Sequence, residues 1–193
     1  MTEQFFNSLA KDYSQKLNQG FLRHIRNIEL KAILKTIQEL KLQSVIDLGS
    51  GSGFYAKNLK EMKLNVTCVD QSLEMLRELS PKSYTLVHSK IEDLNIDQQF
   101  DLVLIAGSLE FNDNLAPIFQ KGYQLTKPKG YCIILYPRMN IFSAVYSLFY
   151  RLRGIKLNII NKKMMNEHLK FNQFKILRRS RVFPLSYLIV ATK

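Results

Sequence analysis

The sequence predicts an α/β fold: a doubly wound sheet of seven strands, mostly parallel, finished by an antiparallel hairpin. Three observations carry that prediction. Short apolar runs alternate with helix-patterned segments between residues 45 and 136, the βαβ rhythm of a parallel sheet. The first run, Val45-Ile46-Asp47-Leu48, feeds a loop with glycine at 49, 51 and 53 and then a helix. Such a strand–loop–helix unit places a ligand at a strand's carboxyl end. Finally, the strand-like runs Phe174–Phe183 and Leu185–Thr192 are separated only by Pro184, a link too short for a parallel crossover.

In chain order, residues 5–42 read as helix, an N-terminal helical cap over residues 1–42. Phe5, Phe6 and Leu9 recur at helical spacing, Asn18-Gln19-Gly20 interrupts, and Leu22, Ile25, Leu30, Ile33, Leu34, Ile37 and Leu40 resume it. A stripe of this kind packs a helix against a sheet. Leu64–Asp70 is the second strand. Ser72 suits the N-cap of a following helix, with Glu74 in its first turn, and Pro81 ends it. Tyr84–His88, Phe100–Ile105 and Tyr131–Tyr136 are the third to fifth strands, and a helix over Leu115–Leu125 stops at the turn Lys127-Pro128-Lys129-Gly130. Ile141–Arg153 reads as an apolar, aromatic helix with Gly154 at its end. No repeat or low-complexity tract interrupts the chain, so residues 1–193 are expected to form a single domain.

Composition bounds the function. An apolar fraction of 46% and a charged fraction of 23% are those of a soluble globular chain. Met1-Thr2-Glu3-Gln4 is not a basic leader, and no apolar run reaches the roughly 18 residues of a membrane span. Cys68 and Cys132 sit in apolar runs, where buried, reduced thiols are expected, as in a cytoplasmic protein. No Cys/His spacing suggests a metal. The net charge of +12 is unevenly spread: residues 1–137 carry 16 Lys and Arg against 15 Asp and Glu, whereas residues 138–193 carry 12 against Glu167 alone. That asymmetry is expected either of a solvated basic face or of contact with an anionic partner or membrane.

The glycine loop narrows the ligand. A dinucleotide fingerprint counted from Gly49 and Gly51 needs glycine where Phe54 stands, and no Gly-Lys-Ser/Thr closes a P-loop. Asp47-x-Gly49-x-Gly51-x-Gly53 resembles motif I of the class I S-adenosylmethionine-dependent methyltransferases, a Rossmann-like family. A carboxylate ahead of the loop suits a cofactor that carries a sulfonium and an ammonium and lacks phosphates. Asp70, 21 positions after Gly49, can accept hydrogen bonds from ribose hydroxyls. Ser89-Lys90-Ile91-Glu92-Asp93-Leu94 resembles the family's adenine-contacting segment, with Lys90 where an acid is usual. Phe100–Phe111 resembles its motif IV and the turn that follows. The resemblance covers residues 44–137 and implies S-adenosylmethionine as cofactor, bound by Tyr13, Asp47, Gly49, Ser50, Gly51, Gly53, Asp70, Gln71, Ile91, Glu92, Ala106 and Gly107. Tyr13, in Ala10-Lys11-Asp12-Tyr13, would close over the methionine end.

Methyl transfer needs positioning, plus a base only where the acceptor must lose a proton. Glu110, just past the fourth strand, is the candidate base; His24 and His88 are weaker ones, and His88 suits a structural role. The Ala106-Gly107-Ser108-Leu109 stretch lacks the Asn/Asp-Pro-Pro-Tyr/Phe motif of amide- and adenine-amine methyltransferases. A small-molecule acceptor, hydrophobic or anionic, methylated on oxygen or carbon, is therefore expected. Residues 138–170 form the variable insertion that builds such a family's substrate cover, and residues 138–156 keep peripheral membrane contact open. Two alternatives remain: an RNA or protein methyltransferase using the basic C-terminal third, and a non-catalytic cofactor-binding protein. No RNA-binding module is recognisable.

Overall fold

The computed structural model describes residues 20–193, and their side chains from residue 23 onward. Tyr13 and the first half of the N-terminal helical cap lie outside the described residues. The elements are α1 (Gly20–Gln38), β1 (Ser44–Leu48), α2 (Phe54–Glu61), β2 (Asn65–Asp70), α3 (Leu73–Leu76), β3 (Thr85–His88) and β4 (Phe100–Ala106). A 3-10 turn (Leu109–Phe111) leads to α4 (Ala116–Leu125), β5 (Thr126–Pro137), α5 (Ile141–Arg151), α6 (Lys162–Phe171), β6 (Lys175–Val182) and β7 (Ser186–Thr192). The seven strands form one Rossmann-like sheet in the order β3-β2-β1-β4-β5-β7-β6. All pairs through β5 are parallel, and β7 pairs antiparallel with both β5 and β6.

Both faces of the sheet are covered, which is why β1 and β4 read as near-continuous apolar runs. On one face Ile33 and Ile37 of α1, Ala56 and Leu59 of α2, and Leu76 and Leu79 pack on Val45, Leu102, Leu104 and Ile133. On the other, Ile118 and Phe119 of α4 and Met165 and Leu169 of α6 pack on Ile46, Val103, Ile105 and Ile134. A third, smaller cluster joins Tyr150, Ile155 and Leu157 to Phe111 and Tyr146. Strand order reverses between β1 and β4, so the loops after them splay apart and leave a crevice. At the opposite end, Asp101 ties β1 to β4: Gln43 and Ser44 N–H groups donate to its Oδ2 and Lys127 Nζ to its Oδ1. Burial works against ionisation there, but these bonds outweigh it and hold the Asp101 carboxyl at about 2.

Local expectations fare unevenly. Ser72 caps α3 by accepting from Met75 N at 3.2 Å, yet α3 is a single turn rather than a helix to Pro81. Turns replace it, bonded through Ser80 O to Ser83 and Tyr84, and they seat Leu79 against Gly53. β5 starts at Thr126 because the expected Lys127–Gly130 turn is absorbed as a bulge opposite Phe100, with Lys129 at φ 63°. α1, described from Gly20, stops at Gln38, short of Leu42. α5 is held at its start by a reciprocal Asn140–Ser143 cap, and Gly154 at φ 78° follows its end. Cys68 and Cys132 are buried and free. No helix of the described residues is long and apolar enough to cross a membrane.

Candidate functional site

Two cavities open at the carboxyl ends of β1 and β4 and share Gly49, Gly51 and Gly107. The loop after β1 is folded by backbone bonds: Gly49 and Ser50 N–H groups both donate to Val69 O, and Gly53 N–H to Ser50 O. Its glycines divide into two kinds. A Cβ at Gly49 would lie 2.5 Å from Ser108 Cβ, and one at Gly53 would collide with Leu79, so these two allow close packing. Gly51 (φ 54°) and Gly107 (φ 69°) face open space and leave bare backbone where the cavities meet.

The cavity on the β2 side is lined by Asp70, Gln71, Met75, Ser89, Ile91, Glu92, Ser108 and Phe111 among others. Asp70 Oδ2 accepts from Gly51 N at 2.7 Å and Oδ1 from Ser72 N at 2.9 Å. A carboxylate oxygen takes a second donor, so each can still meet a ligand hydroxyl. Burial raises the Asp70 pKa, opposed by those two bonds. His88 Nε2 lies 2.9 Å from Gln71 O and braces the turn, the structural role expected of it.

The other cavity is lined by Arg26 and Glu29 of α1, Glu110, Tyr136 of β5, Tyr146 and Tyr150 of α5, and Leu185 and Ser186 before and at the start of β7. Glu110 is carried on the 3-10 turn, and that turn is pinned on three sides. Ser108 Oγ donates to Leu48 O, Asn112 Nδ2 to Ser108 O, and Asn158 N to Glu110 O. The Glu110 carboxyl is 2% exposed. Its Oε1 accepts from Tyr146 Oη at 3.4 Å, while Oε2 has no hydrogen-bond partner among the described residues. Burial, reinforced by the charge of Glu29, pushes Glu110 up to about 7. Glu29 is also buried and pushed up to about 7 by desolvation, although it accepts a hydrogen bond from Ser186 Oγ. Arg26 lies over the Phe54 ring at 4.0 Å.

Of the residues expected to bind cofactor, Gly49, Gly51, Asp70, Gln71, Ile91, Glu92 and Gly107 line the β2-side cavity, and Ser50 and Ala106 the other. Two of the expected residues stand apart from both linings. Gly53 lines neither cavity; it serves packing against Leu79. Asp47 lines neither, lying fully buried beneath the loop with both oxygens unpartnered among the described residues. His24 is likewise absent from both linings, whereas Glu110 sits inside one. Arg26, Glu29, Tyr136, Tyr146, Tyr150 and Ser186 were not singled out by sequence. Only the Tyr146/Tyr150 pair, one turn apart on a helix, left a signal.

Residues 46–134 match the family model of a methyltransferase domain. A ubiquinone biosynthesis O-methyltransferase of Rickettsia bellii is 28% identical over 125 residues, covering 60% of this chain and 52% of that protein. A malonyl-[acyl-carrier protein] O-methyltransferase of Priestia megaterium is 31% identical over 94 residues, covering 45% and 34%. The chain thus spans about half the length of the first of these relatives or less. Among solved structures, the magnesium protoporphyrin IX methyltransferase of Synechocystis with bound S-adenosylhomocysteine superposes with a TM-score of 0.78 at 18% identity. That likeness covers 100% of this chain and 98% of the other.

Proposed function

We propose, from the match of residues 46–134 to the family model of a methyltransferase domain, that the chain transfers a methyl group from S-adenosylmethionine to a hydroxyl oxygen of an apolar small molecule. The observation that carries this reading is Glu110, a buried carboxyl with an unpartnered oxygen, across the Gly51/Gly107 junction from Asp70. Two features support the cofactor. Cβ atoms at Gly51 and Gly107 would occupy the junction, space a ligand needs. The Ser50 hydroxyl, without a hydrogen-bond partner among the described residues, lies on the loop and lines a cavity, where a bound ammonium or the water around it would satisfy it. Asp70, Gln71, Ile91 and Glu92 would hold the adenosine part, and Ser50, Ala106 and Gly107 the methionine part.

The cofactor supplies, when bound, a methyl group already activated on a sulfonium. Glu110, as carboxylate, would take the acceptor's hydroxyl proton and then return it to solvent. A pKa of about 7 leaves a useful fraction ionised at neutral pH with driving force to accept the proton. Of the acceptor classes left open by sequence, an apolar one fits better than an anionic one. Two buried carboxyls line the cavity, and the one cation that lines it among the described residues, Arg26, is stacked on Phe54. An RNA or protein acceptor gains no support, because none of the basic residues of 138–193 lines either cavity. Peripheral membrane contact through residues 138–156 is compatible with an apolar acceptor.

Calorimetry with S-adenosylhomocysteine tests the donor side: binding is expected, weakened about tenfold or more in Asp70→Ala, which loses charge-assisted bonds to a ligand. Undiminished binding in the variant would overturn the assignment. Labelled methyl transfer into cell extract, followed by analysis for O-methyl products, tests the acceptor side.

A further inference from the structure

α5 has two unlike edges. Tyr150 and Ser143 are buried, and Tyr146 and Tyr150 wall the cavity that holds Glu110. At about 100° per residue, Ile141, Val145, Leu148 and Leu152, the last just past the helix end, form one row on the opposite edge. Their exposures are 73, 63, 55 and 78%. Met139 and Phe183 extend the row, both more than two-thirds exposed. Phe183 is brought there by edge-on contact with Phe142 and by Asn140 Nδ2 donating to Pro184 O. Scattered exposed apolar residues need no explanation, but a contiguous row on one helix edge does.

Charge decides what covers it. Residues 138–166 contain Arg138, Arg151, Arg153, Lys156, Lys162 and Lys163 and no acid. Arg151, Arg153 and Lys156 are exposed at the carboxyl end of the row. A two-fold dimer through this face would bring like charges together, whereas an anionic bilayer neutralises them while burying the apolar row. The helix of 11 residues is far too short to span and fits lying in the interface. Arg153, stacked on Phe149 at 3.5 Å, has the long stem that lets a cation reach headgroups from an apolar edge.

We infer that α5 docks in the plane of an anionic lipid bilayer, with Ile141, Val145, Leu148 and Leu152 toward the acyl chains and Arg151, Arg153 and Lys156 at headgroup level. Docking needs neither cofactor nor acceptor, so it stands or falls apart from methyl transfer. Co-sedimentation of the full chain with phosphatidylcholine vesicles, with and without phosphatidylglycerol, tests it. Binding is expected only with phosphatidylglycerol, falling about tenfold for each of Val145→Asp and Leu148→Asp and about fivefold for each of Arg151→Glu and Arg153→Glu. None of these four lines a cavity, so calorimetric S-adenosylhomocysteine binding should persist and certify the fold. Equal binding to both vesicle types, undiminished binding of Val145→Asp/Leu148→Asp, or a dimer dissolved by that pair with no vesicle binding would overturn the inference.

Discussion

The two cavities share three glycines and are built in opposite ways. The β2-side cavity is made mostly by strand ends: the loop after β1, the carboxyl ends of β2 and β3, and the turn after β4. Its one carboxylate anchored by backbone bonds, Asp70, is held by the loop it serves. The Glu110 cavity shares the loop after β1 as one wall and draws its other walls from side chains of α1, the 3-10 turn, β5, α5 and the start of β7. Its partners lie as far apart as Glu29 and Ser186, 157 positions distant. The first can only be changed by changing the fold's central loop. The second can be re-lined residue by residue, so on the proposed assignment most acceptor-side residues can be changed without touching Asp70.

That separation predicts its own tests. The largest effect is expected at Glu110→Gln, which keeps shape and removes the base. Turnover with an acceptor found by labelled transfer should fall by about 10²–10⁴-fold, with S-adenosylhomocysteine affinity nearly unchanged. A matched loss of affinity would mean that the cavities are not separable. Next come the loop glycines, which look alike in sequence. Gly49→Ala drives a Cβ into Ser108 at positive φ and should cost about 2–4 kcal/mol of stability by denaturant titration. Gly51→Ala, with open space around it, should cost about 1 kcal/mol of stability while weakening the cofactor.

Legibility in the sequence followed the same division. The β1–loop–α2 unit, the Ser72 cap and the hairpin about Pro184 are written in adjacent residues, and each formed where the pattern put it. The place of Glu110 in a cavity lining was legible because it lies on the turn just past β4. Glu29 was not: an acid between Ile28 and Leu30 on a helical stripe looks solvated until Ser186 closes over it. Tyr136 reads as one more apolar strand residue, and its hydroxyl is buried without a partner among the described residues. Where the shortened α3 gives way to turns, Leu79 packs against Gly53, a contact no local pattern encodes.

Asp47 sits under the junction and should reveal itself through pH. Burial first, and then the nearby Asp70 charge, push its carboxyl from 3.8 to about 7. The folded chain therefore holds a proton that the unfolded chain loses near 3.8. Stability from this group is complete below that pH and is lost as pH rises through about 7. Glu29 and Glu110 act in the same direction between 4.5 and about 7. Thermal denaturation should show the parent less stable at pH 8 than at pH 5.5. Asp47→Asn should be more stable than the parent at pH 8, by about 1–3 kcal/mol, with the gap narrowing at pH 5.5 and closing only below 3.8. A gap that does not depend on pH would mean Asp47 is ionised and satisfied in the fold.

The smallest effect belongs to Tyr146→Phe. Its hydroxyl lies 3.4 Å from Glu110 Oε1, long for an O–H···O bond and correspondingly weak. That bond lowers the Glu110 pKa against the larger upward push of burial, so removing it moves the pKa further up. The acid limb of kcat/KM should shift to higher pH, costing about two- to threefold near pH 6 and little at pH 8, where Glu110 is ionised either way. A uniform loss of tenfold or more across the pH range would mean that Tyr146 touches the acceptor itself. The helix that presents its apolar row outward would then also set acceptor specificity on its inner edge, independently of the loop that holds the donor.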